Sequence, residues 1–329
     1  MKVLEQVDRV PEEFAGAPLA LGNFAGVHRG HQKVIGEAIA LARDVGRPAG
    51  VMTFDPHPRR HFQPNAAMFT LTPITQKLKL IEALGADFAA VLKFDAALAS
   101  LSGEAFVREM LADRWRIGHV VVGYNFFFGK GRSGSPQLLA EIGAELGFGV
   151  TVVAPASDDG EVFSSSAVRA NLRTGDVRGA ADILGYWWTV RGTVESGAGI
   201  GHGIGYPTAN VMLEAGQDLH HGIYAVRVGY GGRVFEAAGY LGRRPTFDNG
   251  EAKLEVYLFD FDSDLYGQEI AVELIAFIRP DEAFESAEAL VRQMDDDCAK
   301  ARAILKEINA SDPMEAFTLG QAHAATRTG

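Results

Sequence analysis

The stretch Leu19–Gln32, LALGNFAGVHRGHQ, decides the first half of the fold. Pro18-Leu19-Ala20-Leu21 is a short apolar run that reads as a buried strand. Gly22 and Gly26 allow a tight turn after it. From about Gly30 to Arg43 the pattern turns helical, with Val34, Ile35, Ala38, Ile39 and Ala42 on one face. His28 and His31 therefore fall at a strand-to-helix junction, on the first helical turn. Backbone N–H groups and the helix dipole attract anions at such a point. Two imidazole donors beside it suit a triphosphate. Two surface histidines near a cap are the plainer reading, but the spacing, the glycines and the strand favour the phosphate one.

Outward from this turn, apolar runs alternate with helical patterns. Strand candidates are 19–23, 50–54, 88–94, 119–123 and 150–153, and helix candidates are 30–45, 75–84, 103–114 and 136–146. This alternation predicts an α/β unit with a parallel sheet, and ligands outside the carboxyl ends of its strands. His28, the TFDPHP segment Thr53–Pro58 and the glycine-rich loop Gly123–Gly134 all follow strands and converge there. After Gly185 the pattern changes. Alternating runs at 224–228 and 254–259, with turn signals between them, predict a small antiparallel β-barrel. Phe284, Ala287, Val291, Met294, Cys298, Ala301, Leu305 and Ile308 then recur at helical spacing and predict one long C-terminal helix. The expected organisation is a domain at 1–185, a second at 186–311, and a flexible tail at 312–329.

Composition narrows the function class. With 47% hydrophobic and 22% charged residues, the chain reads as a globular protein. No apolar run approaches the ~18 residues of a spanning helix, and MKVLEQVDRVPEEF does not read as a signal peptide. A single cysteine, Cys298, reads as a core residue and argues for the reducing cytoplasm. Residues 1–185 carry 19 Lys+Arg against 20 Asp+Glu, whereas 186–329 carry 12 against 22. Neither half is basic, which argues against nucleic acid as a partner; small molecules remain, with no membrane association.

Several other segments carry chemistry. Pro207-Thr208-Ala209-Asn210 presents a hydroxyl and an amide oxygen on a rigid turn, a donor pair suited to Mg²⁺ that keeps waters and phosphate oxygens. Upstream, GAGIGHGIG at Gly197–Gly205 does not fit G-x-G-x-x-G; its amides form either a phosphate nest or a plain hairpin loop. Lys130 precedes Gly131, so Gly123–Gly134 is not a Walker loop, and Phe126–Phe128 read as packing groups. Ser164, Ser165 and Ser166 suit a helix N-cap, with Arg169 one turn on. Arg59 or Arg60 could meet a phosphate or remain a solvated pair. His57 and His61 are four apart, but with no third ligand nearby a zinc site is not expected. Glu255 points away from the apolar face of Leu254 and Val256 and is the preferred base, with Asp260, Asp262 and Asp264 as competitors.

Seven motifs occur in one order: GNFAGVHRGHQ, TFDPHP, VVGYNFFFGKGRSG, FSSSAVR, GHGIGYPTAN, GRRPTF and LEVYLFDFDSDLYG. Over about residues 15–308 the chain resembles the bacterial bifunctional riboflavin kinase/FAD synthetases. The resemblance implies a Rossmann-like nucleotidyltransferase domain, which adenylylates FMN to FAD, followed by a riboflavin kinase barrel. It implies Mg²⁺, and ATP, riboflavin, FMN and FAD as substrates or products. By resemblance, His28 and His31 are catalytic, and Gly22, Asn23, Phe24, Asn125, Ser164, Ser165 and Arg169 join them around ATP. Asp55, His57 and Arg59 fall on the flavin side. In the kinase half, Gly201, Gly203, Gly205, Thr208 and Asn210 meet ATP phosphates, Thr208 and Asn210 meet the metal, and Glu255 is the catalytic base.

Three positions depart from the family pattern. Ala25 replaces the aspartate of G-x-F-D-G-V-H, His202 stands where arginine is usual, and Tyr240 stands where an asparagine or small residue is commoner. Two further readings therefore stay open. One is a riboflavin kinase whose first domain, inactive or weakened, serves as a binding module. The other is a different adenylyl- or cytidylyltransferase with a β-domain that only binds, against which PTAN and Glu255 argue.

Overall fold

The computed structural model describes residues 1–158, 161–195, 206–213, 216–243 and 252–326. Its contacts divide into two units, Met1–Ser165 and Ser166–Gly329.

The first unit contains the strands β1 (Lys2–Glu5), β2 (Pro18–Leu21), β3 (Gly50–Asp55), β4 (Phe88–Lys93), β5 (His119–Gly123) and β6 (Gly149–Val153). They form one parallel sheet in the order β1-β4-β3-β2-β5-β6. The chain runs outward from β2 to one side and then returns to place β5 on the other. The crevice between β2 and β5 is therefore the topological switch point where α/β sheets bind ligands. The helices are α1 (Arg29–Asp44), α2 (Pro58–Phe62), α3 (Ile74–Ala83), α4 (Ala96–Ser100), α5 (Gly103–Ala105) and α6 (Pro136–Leu146). A π-helical segment, Phe106–Arg114, continues α5. The five expected strands and four expected helices are present, shifted by a residue or two. β2 ends at Leu21 because Phe24 turns left-handed, with φ +47°.

A short ribbon, β7 (Ser157–Asp158) with β8 (Glu161–Val162), precedes α7 (Ser165–Thr174) and α8 (Val177–Leu184). The second unit holds β9 (Thr189–Glu195), β10 (Ala209–Met212), β11 (Gly222–Tyr230), β12 (Arg233–Arg243), β13 (Ala252–Leu258) and β14 (Glu269–Arg279). They close into an antiparallel barrel in the order β10-β13-β12-β11-β14-β9. Closure removes the sheet edges, and Val226, Val228, Leu241, Leu254 and Val256 are fully buried. The long helix Ala287–Ala310 packs on the barrel through Ala301, Leu305 and Ile308.

Residues 312–326 differ from the expected flexible tail. They form a 3₁₀ turn at Pro313–Ala316 and a helix at Thr318–Thr326, with Met314 and Leu319 buried. Asp312 pins the segment: its carboxylate accepts from Arg227 at 2.8 Å and from the Trp187 indole at 3.0 Å. Arg227, almost fully buried, also pairs with Glu273 at 2.9 Å. A segment without periodicity of its own is thus ordered by long-range charge pairing.

Candidate active sites

The first unit's site begins with how β2 ends. Phe24 and Gly26 take left-handed conformations in succession, so the chain doubles back before α1. The Phe24 ring turns inward, 1% exposed, and meets the His31 ring edge-on at 5.3 Å. His28 is the N-cap of α1, its Nδ1 accepting from the His31 amide at 3.4 Å. That lone pair being engaged, the neutral ring carries its proton on Nε2. The two imidazoles stack with centroids 3.6 Å apart. Burial first, then His28 and Lys77, hold His31 well below the usual imidazole range. His31 is therefore neutral near pH 7, a hydrogen-bonding group rather than a charge.

Distant segments close on this turn. Ser165 Oγ donates to the Ala25 carbonyl at 2.8 Å, and the Arg29 guanidinium lies 4.3 Å over the Phe163 ring. Ser164 directly precedes α7, and Arg169 lies one turn into it. Gly22 donates to the Met52 carbonyl at 3.1 Å. Below the turn, the Lys77 ammonium donates to the Asn23 carbonyl at 2.9 Å and lies 3.4 Å from Thr53 Oγ1. The sequence reading missed Lys77. Its signal was a lysine on the apolar face of α3, in step with Leu80 and Ile81.

The reading also missed an aromatic cleft. A cavity of about 150 Å³ is lined by Phe54, Phe62, Phe94, Phe106 and Phe128, with Asn23 at its wall. Phe126 and Phe127 line it too, so these rings do more than pack. Gly129, at φ +71°, lets the glycine-rich loop approach α5: a Cβ there would lie 2.4 Å from the Gly103 nitrogen. Asn125 is exposed on the same loop. The structure does not bring Asp55, His57 or Arg59 into this cleft. Asp55 is exposed at the end of β3. His57 caps α2, accepting from the Arg59 amide at 3.1 Å, and the Arg59 side chain donates to Gln63 at 3.1 Å.

In the second unit, barrel register assembles the site. Asn210 lies opposite Glu255, Glu255 opposite Tyr240, and Tyr240 opposite Ile223. Residues in register share one face of the sheet, and the buried neighbours Leu254 and Val256 take the other. A cavity of about 270 Å³ lies over Glu255, Tyr240 and Ile223 of this row, lined also by Thr208, Tyr257, Met294 and Cys298, while Asn210 is buried and does not border it. Beside this cavity the helix 287–310 is tied to the barrel by Tyr206, which donates to Asp295, and by Arg279, which forks onto Asp297 at 2.8–3.1 Å. Tyr240 donates to Asp281 at 3.0 Å across the cavity wall. Burial, reinforced by Asp297, pushes the Cys298 thiol up to about 11, so it stays protonated and unreactive. It packs against the barrel–helix core, as expected, and also lines the cavity.

A second cavity, of about 490 Å³, is lined by Pro207, Thr208, Asp262, Asp264 and Tyr266. Thr208 borders both cavities. Of the four candidate bases only Glu255 borders the first. Asp260 is engaged by Arg302 at 2.9 and 3.2 Å, and Asp264 accepts from the Tyr266 amide at 2.9 Å. Gly201, Gly203, Gly205 and His202 lie outside the described residues. Among the described residues no group of three His, Cys, Asp or Glu could hold a metal.

Comparison with known proteins agrees with this two-part architecture. The FAD synthetase family model matches residues 10–167, and the riboflavin kinase model matches 184–305. The bifunctional riboflavin kinase/FMN adenylyltransferase of Escherichia coli K12 is 35% identical over 300 residues, covering 91% of this chain and 95% of that protein. The Bacillus subtilis protein of the same name is also 35% identical, covering 89% and 93%. A Streptococcus pneumoniae crystal structure described as a macrolide-efflux protein superposes with TM-score 0.83 at 28% identity, covering 92% of this chain and 99% of that one. Among the described residues no helix is long and apolar enough to cross a membrane. Relatedness over nine-tenths of the length, with both family models in the expected order, leaves one assignment: the chain belongs to the bifunctional riboflavin kinase/FMN adenylyltransferase family.

Proposed function

We propose that the chain converts riboflavin to FMN with one ATP and FMN to FAD with a second, in the cytoplasm. Residues 186–311 would carry the kinase and 1–185 the adenylyltransferase. One observation carries the kinase reading: Thr208 separates a largely apolar, aromatic cavity containing Glu255 from a second cavity. Two substrates can meet there. Riboflavin lies in the first cavity with its ribityl chain toward Glu255, and ATP lies in the second. Glu255 takes the proton of the 5′-hydroxyl as its oxygen attacks the γ-phosphorus, and ADP leaves. The Thr208 hydroxyl and Asn210 amide are hard oxygen donors and fit an Mg²⁺ that keeps waters and phosphate oxygens. That ion supplies charge neutralisation on the transferring phosphate. Gly201, Gly203 and Gly205, which lie outside the described residues, are assigned to the ATP phosphates by resemblance to the family.

In the first unit, an FMN phosphate oxygen attacks the α-phosphorus of ATP and pyrophosphate leaves. His28 and His31 hydrogen-bond the phosphates, with the Gly22–Phe24 backbone, Asn125, Ser164, Ser165 and Arg169 completing the nucleotide site. The phenylalanine cleft takes the flavin ring, since an aromatic slot walled by one amide suits a flat, mostly apolar heterocycle. Asp55, His57 and Arg59 stand outside that cleft and serve the flavin's phosphate side.

Incubation with riboflavin, ATP and Mg²⁺, followed by chromatographic separation of flavins, tests both halves. FMN followed by FAD is expected. FMN alone would favour a kinase with a binding module, the reading that Ala25 keeps open. No FMN would remove the kinase assignment.

A further inference from the structure

One buried charge in the first unit, that of Lys77, has no directly hydrogen-bonded carboxylate among the described residues. Lys77 is 5% exposed on the inner face of α3. Its ammonium donates to the Asn23 carbonyl and approaches the Thr53 hydroxyl, which itself donates to the same carbonyl at 3.2 Å. No carboxylate lies within ion-pair distance of it among the described residues. Around the same turn, Asn23 Oδ1, His31 Nδ1 and both polar atoms of Gln76 are buried without hydrogen-bond partners. Buried polar atoms are normally satisfied and buried charges normally paired. The Gln76 Nε2 donor and the Lys77 ammonium, beside a helix N-terminus already carrying two imidazoles, mark a place that an anion completes, whereas the Asn23 and Gln76 amide oxygens call for donors.

We propose that Lys77 is a positioning residue for adenylyl transfer. Its ammonium holds the Asn23 carbonyl and so the backbone of the Gly22–Gly26 turn, and its charge is balanced by the nucleotide phosphates bound at that turn. The inference rests on the reading that this turn binds ATP.

Electrostatics supports it. Burial pulls the Lys77 ammonium down to about 8, and Asp55 acting through space opposes that fall. At pH 7 the group is charged, and it loses the charge as pH passes 8. The titratable groups facing it are Asp55 from β3 and His31 from α1; β4 up to Leu92 and the turn 25–27 present no charged side chain. Lys77 is the one amine of the set, so a loss of function near pH 8 reports on it.

The test uses the full chain. FMN-to-FAD turnover is measured from pH 6.5 to 10 with varied Mg²⁺–ATP, for wild type, K77M and K77R. For wild type, kcat/KM for ATP falls as pH rises through 8. K77M lowers it about 10²-fold at pH 7 and abolishes that alkaline limb. K77R recovers most of the loss and also lacks the limb, because guanidinium stays charged. Riboflavin phosphorylation by the same preparations is unchanged, which shows that the second unit is intact, and thermal melts of the variants report the folding of the first. Tm moves oppositely to activity. The folded pKa lies below the unfolded one, so burying the charge costs stability below pH 8, and K77M melts no lower than wild type there. A K77M protein with wild-type ATP dependence and an intact limb would overturn the proposal. So would loss of both activities with a lowered Tm, which would make Lys77 merely structural. A wild type that makes FMN but no FAD would remove the reading of the turn, and this inference with it.

Discussion

The two candidate sites are built from opposite materials. The turn of the first unit holds imidazoles, backbone amides, hydroxyls and a buried ammonium, and among the described residues no carboxylate accepts from that ammonium. The barrel row of the second unit holds a hydroxyl, an amide and Glu255, with further acids on the same cavity. The acceptors explain the difference. An FMN phosphate is already ionised and needs no base, but an anion attacking an anion needs positive field. The riboflavin 5′-hydroxyl is neutral and needs a proton acceptor. On the proposed assignments each site would supply what its nucleophile lacks.

Removing the base should break this symmetry most sharply. Glu255→Gln should lower FMN formation about 10³-fold, the usual range for a general base, and leave FMN-to-FAD conversion unaltered. Asn210→Asp should act in the same direction. Near-normal phosphorylation by the Glu255→Gln variant, in a stopped assay of FMN, would make another group the base. A slightly smaller effect is expected on stability. Asp312→Ala removes one of the two carboxylates on the buried Arg227, leaving Glu273, and also the acceptor of the Trp187 indole; it should cost about 3 kcal/mol. The thermal midpoint of the kinase reaction should fall while that of adenylyl transfer holds. Burial raises the Asp312 carboxyl, but Arg227 outweighs it and the net shift is downward. Its contribution is therefore present above the usual carboxylate range and lost as pH falls through the lower folded value. Thermal melts of wild type and variant should converge in acid.

The histidines come next. Alanine at His28 or His31 should cut adenylyl transfer about 10²-fold, near 2.7 kcal/mol of barrier, with FMN formation intact. His31 is kept neutral by burial, so its contribution should not change between pH 6.5 and 8. An acid limb in that window that disappeared in His31→Ala would show instead that the charged imidazole matters.

Much of this was legible because periodicity reports burial. The α1 positions Val34, Ile35, Ala38, Ile39 and Ala42 are the residues that helix buries, and alternation at 254–256 placed Glu255 correctly on the barrel's outer face. What stayed hidden depends on contacts between residues far apart in sequence. β1 is four residues long and buries only Leu4, so it has too little pattern to read. The phenylalanine cleft gathers rings from positions 54 to 128, each unremarkable alone. Asp312 is ordered by Arg227 and Trp187, 85 and 125 residues away. The register that sets Asn210 and Tyr240 on either side of Glu255 is likewise a property of the closed barrel.

The smallest expected effect bears most directly on why the two sites differ. Ala25 opens the 3₁₀ turn before α1, and its carbonyl is held by Ser165. It is the position where the family pattern has an aspartate, so the first site lacks a carboxylate at the mouth of its turn. Alanine preserves the backbone, and Phe24 and Gly26 adopt their left-handed conformations around it. ATP should therefore still bind through His31, Arg169 and the glycine-rich loop, with a slower chemical step. Ala25→Asp adds a hard oxygen donor near His28, where it can approach the metal of Mg²⁺–ATP or hold the loop by hydrogen bonds. FMN-to-FAD turnover at saturating substrates should rise about 10-fold, equivalent to about 1.4 kcal/mol, and phosphorylation of riboflavin should not change. If turnover is unchanged or falls, the acid is not limiting and a purely cationic site suffices for attack by an ionised phosphate. If wild type makes no FAD and aspartate does not restore it, the first unit has kept the architecture of a transferase while serving only to bind.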